Sequence, residues 1–182
     1  MRCFITMIKI KDFIETGFEV SWTLLYLGVN GSETFKNQLD GQDIIDYAAA
    51  KMKEGDDSLD VVLLANANAA NIDEINELLF RLSNYEVVDC DDEYRKWQII
   101  YVLKHLPDEH ADYIQGLTEL GNIWTMLGFP DDSPHVFQGR NNSMTPEEYY
   151  TRENYLLLLD KHREWIEKEI SQLKNRHHLC GC

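Results

Sequence analysis

The stretch Leu120-Gly-Asn-Ile-Trp-Thr-Met-Leu-Gly-Phe-Pro130, followed by Thr145-Pro-Glu-Glu148, decides how the chain is read. Ile114, Leu117, Leu120, Trp124 and Leu127 recur at helical spacing, so one face of a helix is apolar. Gly128 can take the left-handed conformation that closes a helix, and Pro130 cannot continue one. The restart is equally marked. Thr145 is an N-cap, Pro146 sits at N1 where its missing donor costs nothing, and Glu148 at N3 completes a capping box. Between stop and start, residues 129–144 mix the turn formers Pro134, Gly139, Asn141 and Asn142 with Val136 and Phe137, which favour burial. A long loop with apolar anchors reads either as a structural cover or as a functional element.

The same grammar of capped, amphipathic segments runs through the rest of the chain. After the loop, a helix is expected over about 146–174, with a break near Thr151. Leu156, Leu159, Ile166, Ile170 and Leu173 form one stripe, and Tyr155, Leu158, His162 and Trp165 a second beside it. Before the loop, the acidic run Asp89-Cys-Asp-Asp-Glu93 suits a helix N-terminus, where the backbone dipole favours negative charge. Tyr94, Trp97, Ile100 and Tyr101 are that helix's expected buried face. The next helix is expected to begin near Asp108, with Gly116 and Gly121 inside it; each costs about 1 kcal/mol against alanine unless close packing offsets it.

Earlier segments are shorter. Residues 3–14 read as a short helix, with the alternation of Thr6, Ile8 and Ile10 leaving a strand open. Ser21 caps a helix that Gly28 and Asn30-Gly31 end, and residues 29–42 read as a loop. Residues 43–54 carry Ile44, Ile45, Ala48, Ala49 and Met52 on one side; residues 58–66 carry Leu59, Val62, Leu63 and Leu64. Asn71 caps a third helix with Glu74 as box partner and Ile72, Ile75, Leu78, Leu79 and Leu82 as its stripe. No strand pattern or alternation of strands and helices emerges. The expected fold is therefore all-α, a single helical domain over 1–182, built as an irregular antiparallel bundle or a HEAT-like stack. No clean repeat supports the stack over the bundle.

Charge is the strongest global property. The 182 residues hold 17 basic and 32 acidic side chains, a formal net charge of −15. Residues 21–80 hold three basic against eleven acidic, whereas residues 151–182 hold six against five. Such a field repels phosphate backbones and anionic membrane surfaces, so neither a nucleic acid nor a membrane is an expected partner. It attracts basic proteins and speeds their encounter, although negative charge also serves plain solubility. Cys3, Cys90, Cys180 and Cys182 lack framework spacing, and the N-terminus lacks a signal-like apolar run. Reduced cysteines and a cytoplasmic location are expected.

Motifs for chemistry are few. There is no metalloprotease motif, phosphate-binding glycine loop, nucleophile elbow or dinucleotide fingerprint. The acidic clusters at Asp56 and Asp91 lack the spacing and central glycine of a calcium loop. His135 and Arg140 share the central loop without a nucleophile or metal partner, so no enzyme activity and no cofactor are expected. The terminal His177-His178-Leu179-Cys180-Gly181-Cys182 offers soft metal ligands, but a tail gives them no supporting shell; no metal site is assigned there.

Three segments resemble a bacterial family known as domain of unknown function 2247. They are Val20-Ser-Trp-Thr-Leu-Leu-Tyr-Leu-Gly28, then Ile44-Ile-Asp-Tyr-Ala48 with the charged turn and apolar helix after it, and lastly Leu120–Pro130 with the Arg140-Asn-Asn turn and Glu-Tyr-Tyr helix start. Together they cover most of residues 18–174. The family supplies no established catalytic residue. Its members resemble immunity proteins encoded beside secreted toxins, which implies a protein that binds and neutralises a cognate toxin domain. The alternative is a helical adaptor with no toxin partner. On the first reading a basic toxin domain would meet Asp56, Asp57, Asp60, Asp91, Asp92 and Glu93, with Phe137 and Arg140 as loop anchors of the kinds enriched at binding hot spots.

Overall fold

The computed structural model describes residues 7–31, 35 and 38–179, with side chains through 176. Among these residues the protein is all-α: nine helices and no strand. They are α1 Ile10–Thr16, α2 Trp22–Asn30, α3 Gly41–Lys53, α4 Leu59–Ala65, α5 Ile72–Asn84, α6 Cys90–His105, α7 Tyr113–Met126, α8 Pro146–Tyr149 and α9 Arg152–Leu179. Two compact units divide the protein, residues 1–100 and 101–182, and the division falls inside α6.

In the first unit, α2 packs against α5, and α4 against both α3 and α5. The helix starts are chemically specified. Ser21 caps α2 by accepting from the Leu24 N–H at 2.9 Å. Glu86 adds a second cap from across the sequence: its carboxylate accepts from the backbone N–H groups of Trp22 and Thr23, each at 2.8 Å. Asp40 caps α3 through the Gln42 N–H, and Asp89 accepts from the Asp91 N–H at the start of α6. Asn71 caps α5 as expected, but the reciprocal half of its box differs. The Glu74 carboxylate takes the Asn71 side-chain amide, because the Asn71 backbone N–H already donates to Asn68.

Trp97 is the centre of this unit's core. It is buried between Phe13 and Phe35, with ring centroids 4.8 and 5.6 Å away, and its indole N–H donates to the Leu24 carbonyl at 2.8 Å. Gly28 makes that approach possible, since a Cβ there would collide with the Trp97 ring and Leu39. Most of the expected stripes of α3 and α5 are buried, with Ile44, Ile45 and Ala48 on the first and Ile75, Leu78, Leu79 and Leu82 on the second, but α4 differs. On α4 the buried positions are Val61 and Leu64, whereas Leu59 and Leu63 face outward, Leu59 at 72% exposure. Met52 on α3 and Ile72 on α5 are exposed as well. Two turns rich in apolar residues do not reveal which face the neighbours will cover. Residues 10–16 are helical, so the strand alternative fails for the described part of the first segment.

In the second unit, α7 packs against α9. The helix expected near Asp108 starts later, at Tyr113, because Asp112 is the cap; it accepts from the N–H groups of Ile114 and Gln115. Gly116 is buried beneath Tyr155, whose ring occupies the space a Cβ would need, and the Tyr155 hydroxyl donates to the Asp108 carbonyl at 2.6 Å. The α7 stop follows the expectation. Gly128 is left-handed at φ 73°, its N–H donates to Thr125, and the Phe129 N–H reaches back to Trp124 at 3.0 Å.

The restart breaks next to Thr151, as expected. Thr145 and Glu148 form the reciprocal capping box, at 3.3 and 2.8 Å, but α8 has four residues. Tyr150, at φ −85° and ψ 60°, makes a tight turn closed by the Thr151 N–H on the Tyr149 carbonyl. Thr151 then accepts from the Asn154 N–H and opens α9. The break turns Tyr149 into the interior and leaves Tyr150 exposed. The side chains of the His177–Cys182 tail lie outside the described residues.

Candidate functional site

The acidic residues singled out from the sequence separate into two groups. Asp57 and Asp91 are exposed and Asp56 is half-buried; no basic side chain pairs with any of them among the described residues. Asp60 is neutralised by Arg81 at 2.9 Å. Glu93 and Asp92 correct the sequence reading. Glu93 is 1% exposed and grips Lys96, itself 2% exposed, at 2.7 Å. Its other carboxylate oxygen accepts from the Ser21 hydroxyl at 2.8 Å, and Lys96 also donates to the Glu19 carbonyl. Asp92 is buried too. Glu93 is thus committed to holding the start of α2, and neither acid stands on the surface as expected. The acidic run looked like one exposed patch because nothing local shows that the other side of the helix will be covered.

The exposed carboxylates have apolar neighbours in sequence. Leu59 and Leu63 lie one turn apart on the outer face of α4, directly after Asp56 and Asp57. Tyr85 and Val87 are exposed in the segment that carries Glu86 to the α2 N-terminus. Singly exposed apolar residues are ordinary, but Leu59 and Leu63 share one face.

In the second unit the loop after α7 is anchored at three depths. Trp165 donates its indole N–H to Asp132 at 3.3 Å. His135 is 7% exposed and shares a hydrogen bond with the Tyr149 hydroxyl through Nε2 at 3.2 Å. Phe137 packs edge-on against His135 and Phe129. Burial, and then the adjacent His162, push the His135 imidazole down to about 3, and burial pushes the Tyr149 phenol up to about 12. Both groups are neutral at ordinary pH. Among the described residues the buried His135 Nδ1 has no hydrogen-bond partner. His162 is fully buried; Trp124 donates to its Nε2 at 2.7 Å and its Nδ1 meets the Leu158 carbonyl. These partners require the neutral Nδ1–H form, and burial pulls its pKa down to about 4 although the carbonyl opposes that shift. His135 and Arg140, which share the loop in sequence, are divided by exposure: His135 is interior and Arg140 is on the surface.

Among the described residues, Arg140 is held by rings and by no carboxylate. Its guanidinium lies 4.5 Å from the Phe129 ring centroid and 5.8 Å from that of Phe137. The turn beneath it is tied by Asn142, whose amide donates to the carbonyls of Phe137 and Arg140 and accepts from the N–H groups of Gly139 and Met144. Phe129 and Asn141 take left-handed conformations, at φ 56° and 58°. For a bulky residue such as Phe129 this is strained backbone, held by the helix stop on one side and the ring stack on the other. Phe137 and Arg140, both singled out from the sequence, come together here; Phe129 was not singled out, because its place depends on a backbone conformation that phenylalanine rarely adopts.

No group of three or more His, Cys, Asp or Glu residues is placed to hold a metal ion among the described residues. No helix of the described residues is long and apolar enough to cross a membrane. The molecule so far is an all-α protein with an acidic first unit and an aromatic loop site in the second. It belongs to the bacterial family described as "Uncharacterized protein conserved in bacteria (DUF2247)", whose model matches residues 10–170. Comparison with curated proteins and with solved structures found no match.

Proposed function

We propose that the protein is an immunity protein that binds and neutralises a cognate basic toxin domain, as a binding protein without catalytic activity of its own, acting in the bacterial cytoplasm. The observation that carries this reading is the segment from Asp56 to Leu63. It sets two unneutralised carboxylates beside two outward leucines on α4. Apolar centres with charged rims are the usual anatomy of a protein interface. The carboxylate surplus of residues 21–80 would steer a basic partner toward it. Asp57 and Asp91 are the retained contact residues, together with Asp56; Asp92, Glu93 and Asp60 are assigned to the fold.

The test is rescue of growth. The protein is co-expressed with the C-terminal domain encoded by the neighbouring gene, beside variants Asp57→Lys and Leu59→Asp. Rescue by the native protein and its loss in both folded variants supports the reading. Lack of rescue by the native protein, or undiminished rescue by both variants, overturns it.

A further inference from the structure

A groove of about 240 Å³ opens beside the loop of the second unit, lined by Leu117 and Gly121 of α7, Phe137 and Gln138 of the loop, and Tyr149 and Tyr150 of α8 and its end. With Thr118 of α7 these make seven lining residues, three of them aromatic. Gly121 is the informative residue. A Cβ at Gly116 would strike Tyr155, but one at Gly121 would meet its nearest neighbours, His135 and Phe137, at an ordinary 3.7 Å. Packing therefore does not require the glycine, although glycine inside a helix is unfavourable. What the missing side chain leaves is floor space in the groove.

Phe137 has a second neighbour, the Arg140 guanidinium, held over the rings by the Asn142-tied turn. In a protein with nearly twice as many acids as bases, this cation pairs with no carboxylate among the described residues. We propose that the groove and Arg140 together bind an extended segment of a partner protein, with an aromatic side chain in the groove and a side-chain carboxylate on Arg140. The groove is lined by residues of the second unit alone, and its occupant is inferred without the toxin reading.

Each part of that commitment has a reason. The groove is smaller than the roughly 300–1,000 Å³ usual for sites that enclose a small molecule, but it suits one ring. Capture of a terminal carboxylate draws on free backbone N–H groups, whereas those of Gly139 and Met144 already donate to Asn142. A side-chain carboxylate needs only the guanidinium. In an extended segment, side chains two residues apart share a face and stand about 7 Å apart. That spacing suits a ring against Phe137 in the groove and a carboxylate on Arg140, whose guanidinium lies 5.8 Å from the Phe137 centroid, so the recognised pattern is aromatic-x-acidic.

The probe is acetyl-Ser-Tyr-Ser-Glu-Ser-amide, titrated into the full-length protein with the backbone amide signals of the loop and α7 followed by NMR. Expected is saturable, salt-weakened binding that shifts Gly121 and Arg140. Exchange of the peptide's Tyr for Ala, or Gly121→Ala in the protein, is expected to weaken it about tenfold, and Glu to Gln or Arg140→Gln several-fold. Gly121→Ala introduces no clash and Arg140→Gln is at the surface, so both proteins remain folded for the comparison. No saturable binding, undiminished binding by Gly121→Ala, or equal binding of the Gln peptide overturns the proposal. So does tighter binding of N-acetyltyrosine, which would place a terminal carboxylate at Arg140 instead.

Discussion

Trp124 and His162 are joined by a 2.7 Å hydrogen bond in which the indole N–H donates to the imidazole Nε2. Because Nδ1 is already committed to the Leu158 carbonyl, His162 has no site for a second proton while the core stays closed. The nearby His135 is buried and neutral as well, its pKa reduced first by burial and then by His162.

Acid should therefore weaken the second unit before its surface carboxylates are titrated. Both folded pKa values, about 3 and about 4, lie below the ordinary 6.5 of an unfolded histidine. The unfolded protein takes up these protons from pH 6.5 downward while the folded protein does not. The stabilisation is fully present above pH 6.5, falls as pH falls, and stops falling once the folded groups titrate. At pH 5 the loss is about 2 kcal/mol per histidine. Urea denaturation followed by tryptophan fluorescence at pH 7.5 and 5.0 measures it. His162→Gln should reduce the difference between the two pH values; an unchanged difference would show that His162 does not carry it.

The buried Glu93–Lys96 pair should respond asymmetrically. Lys96→Met alone leaves the Glu93 charge uncompensated in the interior and should cost about 3–5 kcal/mol. The double variant Glu93→Leu/Lys96→Met removes both charges and should recover most of that loss, with the Ser21 cap still accepting from Leu24. Urea midpoints of the two proteins decide this; equal destabilisation would indicate that Glu93 matters mainly to the α2 N-terminus.

The two glycines of α7 should give opposite signs. Gly116→Ala forces Tyr155 aside and should destabilise by about 1–3 kcal/mol. Gly121→Ala meets no clash and should stabilise by up to about 1 kcal/mol. Thermal melts of both variants test this; a destabilised Gly121→Ala protein would mean that the loop packs more tightly on α7 than the 3.7 Å distances indicate.

Removing the tie beneath Arg140 should loosen one turn only. Asn142→Ala deletes four hydrogen bonds to the loop backbone, so amide exchange should quicken at Gly139 and Met144 while α7 and α9 keep their protection. Uniformly faster exchange would show that the turn helps hold the whole unit.

Elements specified by neighbouring residues were readable from sequence. Ser21, Asn71 and the Thr145-Pro146-Glu148 box mark helix starts, and Gly128 marks the α7 stop, because capping chemistry acts within one turn. Which face of α4 is covered was not readable, since Leu59, Val61, Leu63 and Leu64 offer apolar residues on both sides and only the tertiary packing of α3 and α5 chooses. Glu93 looked like one more exposed acid. Its burial depends on Ser21, more than seventy positions away in sequence, and on Lys96, which in turn donates to the equally distant Glu19 carbonyl. In the candidate loop, Phe137 and Arg140 were legible as anchor types; the groove was not, because it arises from Gly121 and the inward turn of Tyr149.

The central claim is that an acidic surface on the first unit binds a basic toxin domain. The most direct test is the association rate between the purified protein and the C-terminal domain encoded by the neighbouring gene, measured across a salt series. The account predicts a stable complex whose association slows steeply as salt rises, with a shallower dependence for Asp57→Asn/Asp91→Asn. Two folded proteins that fail to associate at low salt, or that associate at a salt-independent rate, would contradict it.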